Sequence, residues 1–247
     1  MPKNASIART THLALFLFTL TSTTIVGAMP QERTPDGRAH NPGLPGWCET
    51  AAADRQAEAG CYTTAIADLG TLPATPIYWH LDAFPTRAEA EKSRGPRSTA
   101  VDSQHRHWLF TIAEAGWRPT GGERIAMIGP LVIDPAVPYT ARYLEAVMTP
   151  GFQDGVGKGH WHPGPEAWYV LEGAQCLETP SGARTIRKGE TLLAPEGEPM
   201  TIASVGGEMR RTVFMVLHRS SQPYVLRQAT TSDAPHAHWE SKGLCPR

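Results

Sequence analysis

Net charge, cysteine and long apolar segments are all scarce in this sequence of 247 residues. The formal net charge is only −1. Proteins that bind nucleic acid or an anionic membrane surface typically carry an excess of basic residues, which this chain lacks. Four cysteines are present, and their spacing does not match a zinc ribbon. After residue 28 no stretch is apolar for long enough to cross a bilayer. What remains is an ordinary globular composition, rich in glycine and proline.

The N-terminus has the pattern of an export signal. Lys3 and Arg9 precede the apolar run 13–20, and small residues at 26–28 form a cleavage site. Residues 1–28 are therefore predicted to be a signal peptide. The alternatives are an uncleaved anchor helix and a buried N-terminal helix. Its removal leaves 21 basic and 24 acidic residues, a net charge of −3. The excess of 18 Arg over 5 Lys is typical of a GC-rich genome, and favours a bacterial protein with a periplasmic or extracellular address.

The cysteines agree with an oxidising compartment. Cys48 and Cys61 flank a short Ala/Glu-rich segment, which favours a local disulfide over two free thiols. Both lie in residues 29–75, which read as a Pro/Gly-rich arm outside the core. Cys176 falls in a predicted strand and is expected to be buried packing, while the sequence does not indicate a partner for Cys245.

The folded core is expected to span residues 76–225, followed by a polar tail at 226–247. Residues 77–84 have the composition of a strand, and 85–92 follow as a helix. From there onward turn signals recur about every dozen residues, with short apolar runs between them. Many short strands at this spacing predict an all-β sandwich or barrel.

One short segment carries most of the functional information. His160 and His162 stand two residues apart on a predicted strand, so their side chains share a face. The Pro-Gly-Pro turn at 163–165 then brings the carboxylate of Glu166 to the same side. Two imidazoles and one carboxylate form a plausible three-ligand site for a divalent metal.

These residues resemble the motifs of the cupin superfamily. The first cupin motif, HxHx(3,4)Ex(6)G, is matched by His160, His162, Glu166 and Gly173. The second begins GxxxxxPxG and is matched by Gly189, Pro195 and Gly197. Two departures follow, because Met200 stands where the family has its fourth ligand, a histidine, and Ser204 where it has asparagine.

The resemblance implies a double-stranded β-helix, or jelly-roll barrel, with an N-terminal strand-helix extension. It also implies one divalent metal at His160, His162 and Glu166, with Fe or Mn favoured and Zn or Ni acceptable. Met200 is expected to line the cavity without being a ligand, which leaves three coordination positions open. Family habit further implies a homodimer, with residues 76–95 a candidate for exchange of an edge strand.

Strand alternation predicts further pocket residues. Trp168 and Val170 follow the face of Glu166 and should point into the cavity, although core packing explains a buried tryptophan equally well. On the preceding strand either Arg142 or the pair Tyr143 and Glu145 faces inward. Tyr143 and Glu145 are therefore candidates for an acid, a base or a carboxylate clamp.

Three other histidine sites are weaker metal candidates. His105 and His107 repeat the HxH spacing but lack a carboxylate four residues later. His236 and His238 lie in the polar tail. His218 ends an apolar run. It could in principle replace the missing fourth ligand, but a histidine at the end of a strand is the more common outcome.

The sequence thus predicts an exported cupin that binds a small organic molecule and transforms it. The reaction class, oxygenation or metal-assisted lyase or isomerase chemistry, rests on the resemblance alone. The alternative is a non-catalytic module that binds a sugar or another small molecule, with a metal site that has decayed. An interaction protein that uses the barrel only as a scaffold is a third hypothesis.

Overall fold

Strands make up most of the regular structure in the computed structural model, which describes residues 48–154, 159–227 and 239–246. The predicted signal peptide, the first part of the arm, His236 and His238 lie outside these residues. The helical elements are a single 3-10 turn, Ala52–Asp54, and one α-helix, α1, Arg87–Lys92. No helix in the described ranges has the length and hydropathy needed to cross a bilayer.

The strands follow one another along the chain with short connections. They are β1 (Gly60–Thr71), β2 (Ile77–Phe84), β3 (Ser98–Ser103), β4 (Arg106–Glu114), β5 (Glu123–Leu131), β6 (Pro138–Met148), β7 (His160–Trp161), β8 (Glu166–Glu172), β9 (Ala174–Thr179), β10 (Gly182–Arg187), β11 (Thr191–Ala194), β12 (Thr201–Val205), β13 (Arg210–Arg219) and β14 (Leu226–Arg227). The prediction of an all-β fold is confirmed.

Three sheets pack as three layers. The central sheet has five antiparallel strands in the order β1-β6-β13-β8-β11. One of its faces packs against the four-stranded sheet β3-β4-β2-β5, and the other packs against the three-stranded sheet β10-β9-β12. Because side chains alternate along a strand, odd-numbered residues of β6 and β13 enter the first core and even-numbered residues enter the second.

The first core is built around aromatic side chains. Trp79 and Phe110 meet edge-on with ring centroids 5.2 Å apart, and Phe110 lies 5.2 Å from Tyr143 of the central sheet. Each such pair adds roughly 0.5–1.5 kcal/mol beyond the burial of its apolar area. This contact fixes the four-stranded sheet on the outer face of the central one.

The folded core begins earlier than the sequence indicates. β1 lies inside the stretch 29–75 that was assigned to the arm, yet it forms an edge of the central sheet by pairing with β6 from Gly60 to Thr71. Its residues are mostly small or polar and carry little apolar alternation. Backbone pairing with a distant strand, rather than local sequence, makes it a strand.

The Cys48–Cys61 disulfide is present as predicted, and a second disulfide joins Cys176 to Cys245. Cys176 is fully buried, as predicted, and its pairing with Cys245 adds what the sequence left open. The two cysteines are 69 residues apart, and no local signal relates them. The pairing attaches the C-terminal segment to β9.

A buried carboxylate holds the same C-terminal segment. Glu178 is 2% exposed and accepts hydrogen bonds from the backbone N–H groups of Lys242 and Leu244 and from the hydroxyl of Ser241. Hydrogen bonds to an ionised group are stronger than those between neutral groups. Glu178 and the Cys176–Cys245 disulfide together anchor residues 239–246.

Residues 76–95 do not form a free edge in this chain. β2 is the third strand of its sheet and pairs with β4 on one side and β5 on the other. α1 follows it, with the hydroxyl of Thr86 accepting a hydrogen bond from the backbone N–H of Glu89. Exchange of this edge between two copies would require an existing pairing to break, and the homodimer stays a prediction.

Replacing Glu178 by alanine should destabilise the protein. Three donors lose a buried, charged acceptor, and we expect the free energy of unfolding to fall by about 3 kcal/mol. Chemical denaturation of Glu178→Ala measures the loss. Glu208→Ala, which removes an exposed carboxylate, is the control and should change stability by less than about 0.5 kcal/mol. Equal effects of the two substitutions would contradict this role of Glu178.

His80 should make the protein less stable in acid. It is fully buried; burial, reinforced by the charge of Arg124, lowers its pKa from 6.5 to about 4. In the unfolded chain His80 takes up a proton near pH 6.5, whereas in the folded protein it does so only near pH 4. Protonation therefore favours the unfolded chain, and the stability present above pH 6.5 is lost as the pH falls towards 4. The shift corresponds to about 3 kcal/mol. Denaturation curves between pH 4 and 7 should show a smaller pH dependence for His80→Gln than for the native chain.

Candidate metal centre

The three predicted ligands converge in the structure. One ligand atom from each of His160, His162 and Glu166 lies within 4.8 Å of the others, and all three residues are buried. His160 lies on β7 and Glu166 opens β8. The backbone N–H of His160 donates to the carbonyl of Met200 at 3.1 Å, and the N–H of Met200 donates back at 2.8 Å. Two short segments are thereby held side by side at the cluster.

The turn between His162 and Glu166 is fastened to β13. The carbonyl of Pro163 accepts from the N–H of Arg219 and that of Pro165 from the N–H of Leu217, each at 3.0 Å. Between them Gly164 has φ +153, and a Cβ there would collide with the carbonyl oxygen of Leu217. Only glycine allows the turn to approach β13 this closely.

The geometry of His162 fits a metal ligand. Its Nδ1 lies 2.5 Å from the carbonyl oxygen of Tyr224; a carbonyl only accepts, so Nδ1 carries the proton and Nε2 presents a lone pair. That Nε2 lies 3.1 Å from Oε2 of Glu166, yet neither atom has a hydrogen-bond partner in the described protein. Two such buried atoms require a positive charge, either a proton on Nε2, which would make them an ion pair, or a metal ion that both atoms bind.

The electrostatics of the pair agree with this interpretation. Burial disfavours the charged form of His162, but the carboxylate of Glu166 and the carbonyl of Tyr224 outweigh it, and the pKa of His162 is raised. In the absence of another cation, a proton on His162 is the counter-charge that Glu166 attracts. A metal ion would take the place of that proton.

A second carboxylate supports His160. Oδ2 of Asp154 lies 3.5 Å from Nδ1 of His160, and both side chains are buried. Carboxylates beside the second nitrogen of a metal-ligating histidine orient the ring. Sequence reasoning missed Asp154, because it precedes the motif and no spacing rule includes it. Tyr224, whose carbonyl orients His162, was missed for the same reason.

A small cavity opens beside the cluster, between the central and three-stranded sheets. Its volume is about 50 Å³. That is space for a few non-hydrogen atoms. Its walls are mostly apolar and come from both sheets, and they include the Cys48–Cys61 disulfide together with Leu144, Ala146, Met148, Trp168, Phe214 and Val216.

The predicted pocket residues lie near the cluster, but they do not all reach the cavity. Trp168 lines it and stacks on Phe214 with ring centroids 6.2 Å apart. Val170 and Met200 are fully buried in the same apolar cluster without contributing to the lining. Met200 pairs through its backbone with His160, and its side chain fills the core. This is a correction to the expected position of Val170 and Met200.

Tyr143 and Glu145 face away from the cavity. The register of β6 turns Leu144 and Ala146 inward, so alternation places Tyr143 and Glu145 on the opposite face. Tyr143 lies in the first core, where burial raises its pKa. Glu145 is bonded on that face to the hydroxyl of Ser103, the backbone N–H of Gln104 and the guanidinium of Arg55. Neither residue is placed to act on a ligand in the cavity.

Arg142 lies on the cavity side of β6, yet it serves a structural contact. Its guanidinium lies 4.1 Å from the ring centroid of Tyr224 and donates to the hydroxyl of Thr63. Two other histidines of the described ranges, His107 and His218, make separate contacts. His107 bonds to Asp102 on the surface, and Nδ1 of His218 lies 3.1 Å from the carbonyl oxygens of Arg219 and Gln222.

A buried arginine is the least expected residue of the cavity. Arg210 is 3% exposed, lines the cavity and donates through Nη1 to Oε1 of Gln175. Burial lowers its pKa to about 10, although the charges of Asp154 and Glu166 oppose the shift. An arginine just before an apolar strand indicates a surface position, so the sequence did not reveal this one.

Solved structures resemble part of this chain at low sequence identity. No family model matches the chain, and no curated protein sequence does. A cupin superfamily protein from Desulfitobacterium hafniense is 14% identical, over 32% of this chain and 67% of that chain, with a TM-score of 0.28. A protein with a double-stranded β-helix domain from Klebsiella pneumoniae is 17% identical, over 40% of this chain and 77% of that chain, with a TM-score of 0.30. A polyketide cyclase from Streptomyces resistomycificus is 24% identical, over 38% of this chain and 64% of that chain, with a TM-score of 0.30.

These likenesses carry no conclusion about ligand or reaction. In the described residues two facing antiparallel sheets enclose a cavity, with His160, His162 and Glu166 at its wall. This arrangement agrees with the all-β barrel that the sequence predicts. An added four-stranded sheet covers its outer face.

Gly164 should be sensitive to the smallest substitution. In Gly164→Ala the new methyl group must push the turn off β13, and we expect a loss of about 3 kcal/mol in unfolding free energy together with weaker metal binding. Gly207→Ala is the matched control, because nothing lies within 4 Å of a Cβ at Gly207. Denaturation and metal titration of both variants test this expectation, which fails if they behave alike.

Proposed function

We propose that this protein is a metal-dependent cupin that binds a small organic molecule and transforms it, by oxygenation or by metal-assisted lyase or isomerase chemistry. His160, His162 and Glu166 would hold one divalent ion. The observation that carries the proposal is the close approach of His162 Nε2 and Glu166 Oε2, two buried atoms with no hydrogen-bond partner in the described protein.

The chemistry of the donor set narrows the choice of metal. Two neutral imidazoles suit Fe, Mn, Zn and Ni, and one carboxylate favours the harder of these ions, Fe and Mn. Met200 does not line the cavity and would not add a thioether ligand. A bound ion of this kind supplies Lewis-acid polarisation of a chelating oxygen and, when it is redox-active, electron transfer.

The residues of the chain would do the rest. Tyr224 keeps the proton of His162 on Nδ1, and Asp154 orients His160. Trp168 and Phe214 give the cavity apolar walls, which exclude water and strengthen every electrostatic contact inside. The three coordination positions that the protein leaves open would admit a ligand with two oxygens and one further small molecule.

A non-catalytic binding module is the second candidate. It is favoured by the small cavity and by the few ionisable groups of its described wall. Apart from the three ligands, these are Asp154, Arg210 and Tyr224, so general acid–base chemistry would have few participants. A purified protein that is free of metal but holds a small molecule in its barrel would support this alternative.

Two disulfides are present among the described residues, and they suggest an oxidising compartment. We propose on this basis a periplasmic or extracellular location, reached through the signal peptide at residues 1–28. The homodimer implied by the resemblance is part of the same proposal, and light scattering of the purified protein tests it.

Removing one ligand should remove the metal. We expect the purified protein to contain close to one Fe or Mn per chain, and His162→Ala and Glu166→Gln to contain almost none, by elemental analysis. His107→Ala, which alters the exposed HxH pair, is the control and should retain the native content. A native protein that stays metal-free after incubation with Fe, Mn, Zn and Ni salts would overturn the proposal.

A further inference from the structure

We infer that the cavity takes a small chelating molecule of about three to five non-hydrogen atoms, and that the stacked pair Trp168 and Phe214 sets this limit. The inference deepens the function proposed above and rests on its metal ion. Size is the property of the substrate for which these two side chains would select.

Trp168 lies next to the proposed metal ligands. It follows Glu166 by two residues on β8, so both side chains point to the same face of the strand. The residues that pair with Glu166 and Trp168 on β13 are Val216 and Phe214. The rings of Trp168 and Phe214 stack with their centroids 6.2 Å apart and an interplanar angle of 27°. Two neighbouring strands thus place an aromatic pair in the layer of side chains next to Glu166.

The cavity is long but narrow. Its wall on β13 runs from Val216 to Arg210, a stretch of strand that covers about 20 Å. Its volume is nevertheless only about 50 Å³. A water-sized group needs roughly 10–15 Å³ of such space, which leaves room for about three to five non-hydrogen atoms. A cavity of this length has so small a volume because side chains occupy most of its width.

The aromatic pair occupies that width. Trp168 is among the largest fully buried side chains of the described residues, and it lines the cavity in the middle of its length, opposite Phe214. The strand β6 contributes the smaller side chains of Leu144 and Ala146 to the same wall. Interiors that serve stability alone close up to few voids larger than a water molecule. A space that stays open beside the metal ligands, and is narrowed by two rings, therefore indicates a wall that limits the size of a ligand.

Two hydroxamic acids of different size test the inference by calorimetric titration of the Mn²⁺-loaded protein. Acetohydroxamate and benzohydroxamate chelate a metal through the same two oxygens, but one carries a methyl group and the other a phenyl ring. We expect acetohydroxamate to bind about tenfold more tightly or better, because the phenyl ring would overpack the cavity. An apolar wall with free space would give the opposite order, since it would bury the phenyl ring. A change in the electron paramagnetic resonance spectrum of Mn²⁺ should accompany binding at the ion.

Trp168→Leu should remove the preference. The substitution deletes about as many non-hydrogen atoms as the phenyl ring adds, so we expect the ratio of affinities to shift by about tenfold or more towards benzohydroxamate. The Mn²⁺ content should stay native, since His160, His162 and Glu166 are unchanged. Trp79→Leu is the matched control and should keep the native ratio, because Trp79 is fully buried in the first core and does not line the cavity.

The outcomes separate this inference from the proposed function. If the native protein takes up no metal, the proposed function fails and the inference fails with it. If metal binds but acetohydroxamate does not bind more tightly than benzohydroxamate, or Trp168→Leu keeps the native ratio, only the size limit is wrong. Should Trp168→Leu not fold or lose Mn²⁺, Trp168→Phe and Phe214→Leu decide. Each should shift the ratio several-fold towards benzohydroxamate, and an unchanged ratio in both would overturn the inference.

Discussion

Everything functional in this structure depends on one contact, the approach of His162 Nε2 to Glu166 Oε2 at 3.1 Å. A neutral imidazole lone pair and a carboxylate repel each other, so the contact persists only with a positive charge between them. The turn that forces them together is bound to β13 through the carbonyls of Pro163 and Pro165. Gly164 makes that attachment sterically feasible.

β13 and the central sheet divide the molecule into two chemical environments. On one face of the sheet, Tyr143 and its aromatic neighbours form an apolar core with the four-stranded sheet. On the other face, the even-numbered residues of β6, β8 and β13 leave a small space beside His160, His162 and Glu166. The added four-stranded sheet covers the outer face of the central sheet, which is therefore largely apolar on both sides.

Covalent and polar anchors hold the ends of the described chain to this frame. The Cys48–Cys61 disulfide stands in the cavity wall, so the segment before β1 belongs to the site's surroundings rather than to a separate arm. At the other end, Cys176–Cys245 and Glu178 anchor residues 239–246 to β9. Trp239 packs against Gly159, one residue before the first ligand. Both ends therefore contribute to the environment of the cluster.

The sequence by itself determined the ligand trio, the all-β class, the short helix after β2 and the Cys48–Cys61 pairing. Each depends on residues close together in the chain, where strand alternation, a Pro-Gly-Pro turn or a short loop fixes the geometry. Only the tertiary structure decided which face of β6 meets the cavity, that Met200 packs in the core, that Cys176 pairs with Cys245, and that Asp154 and Arg210 join the site. These outcomes depend on register and on contacts between distant strands, and a one-residue change of register reverses every side chain on a strand.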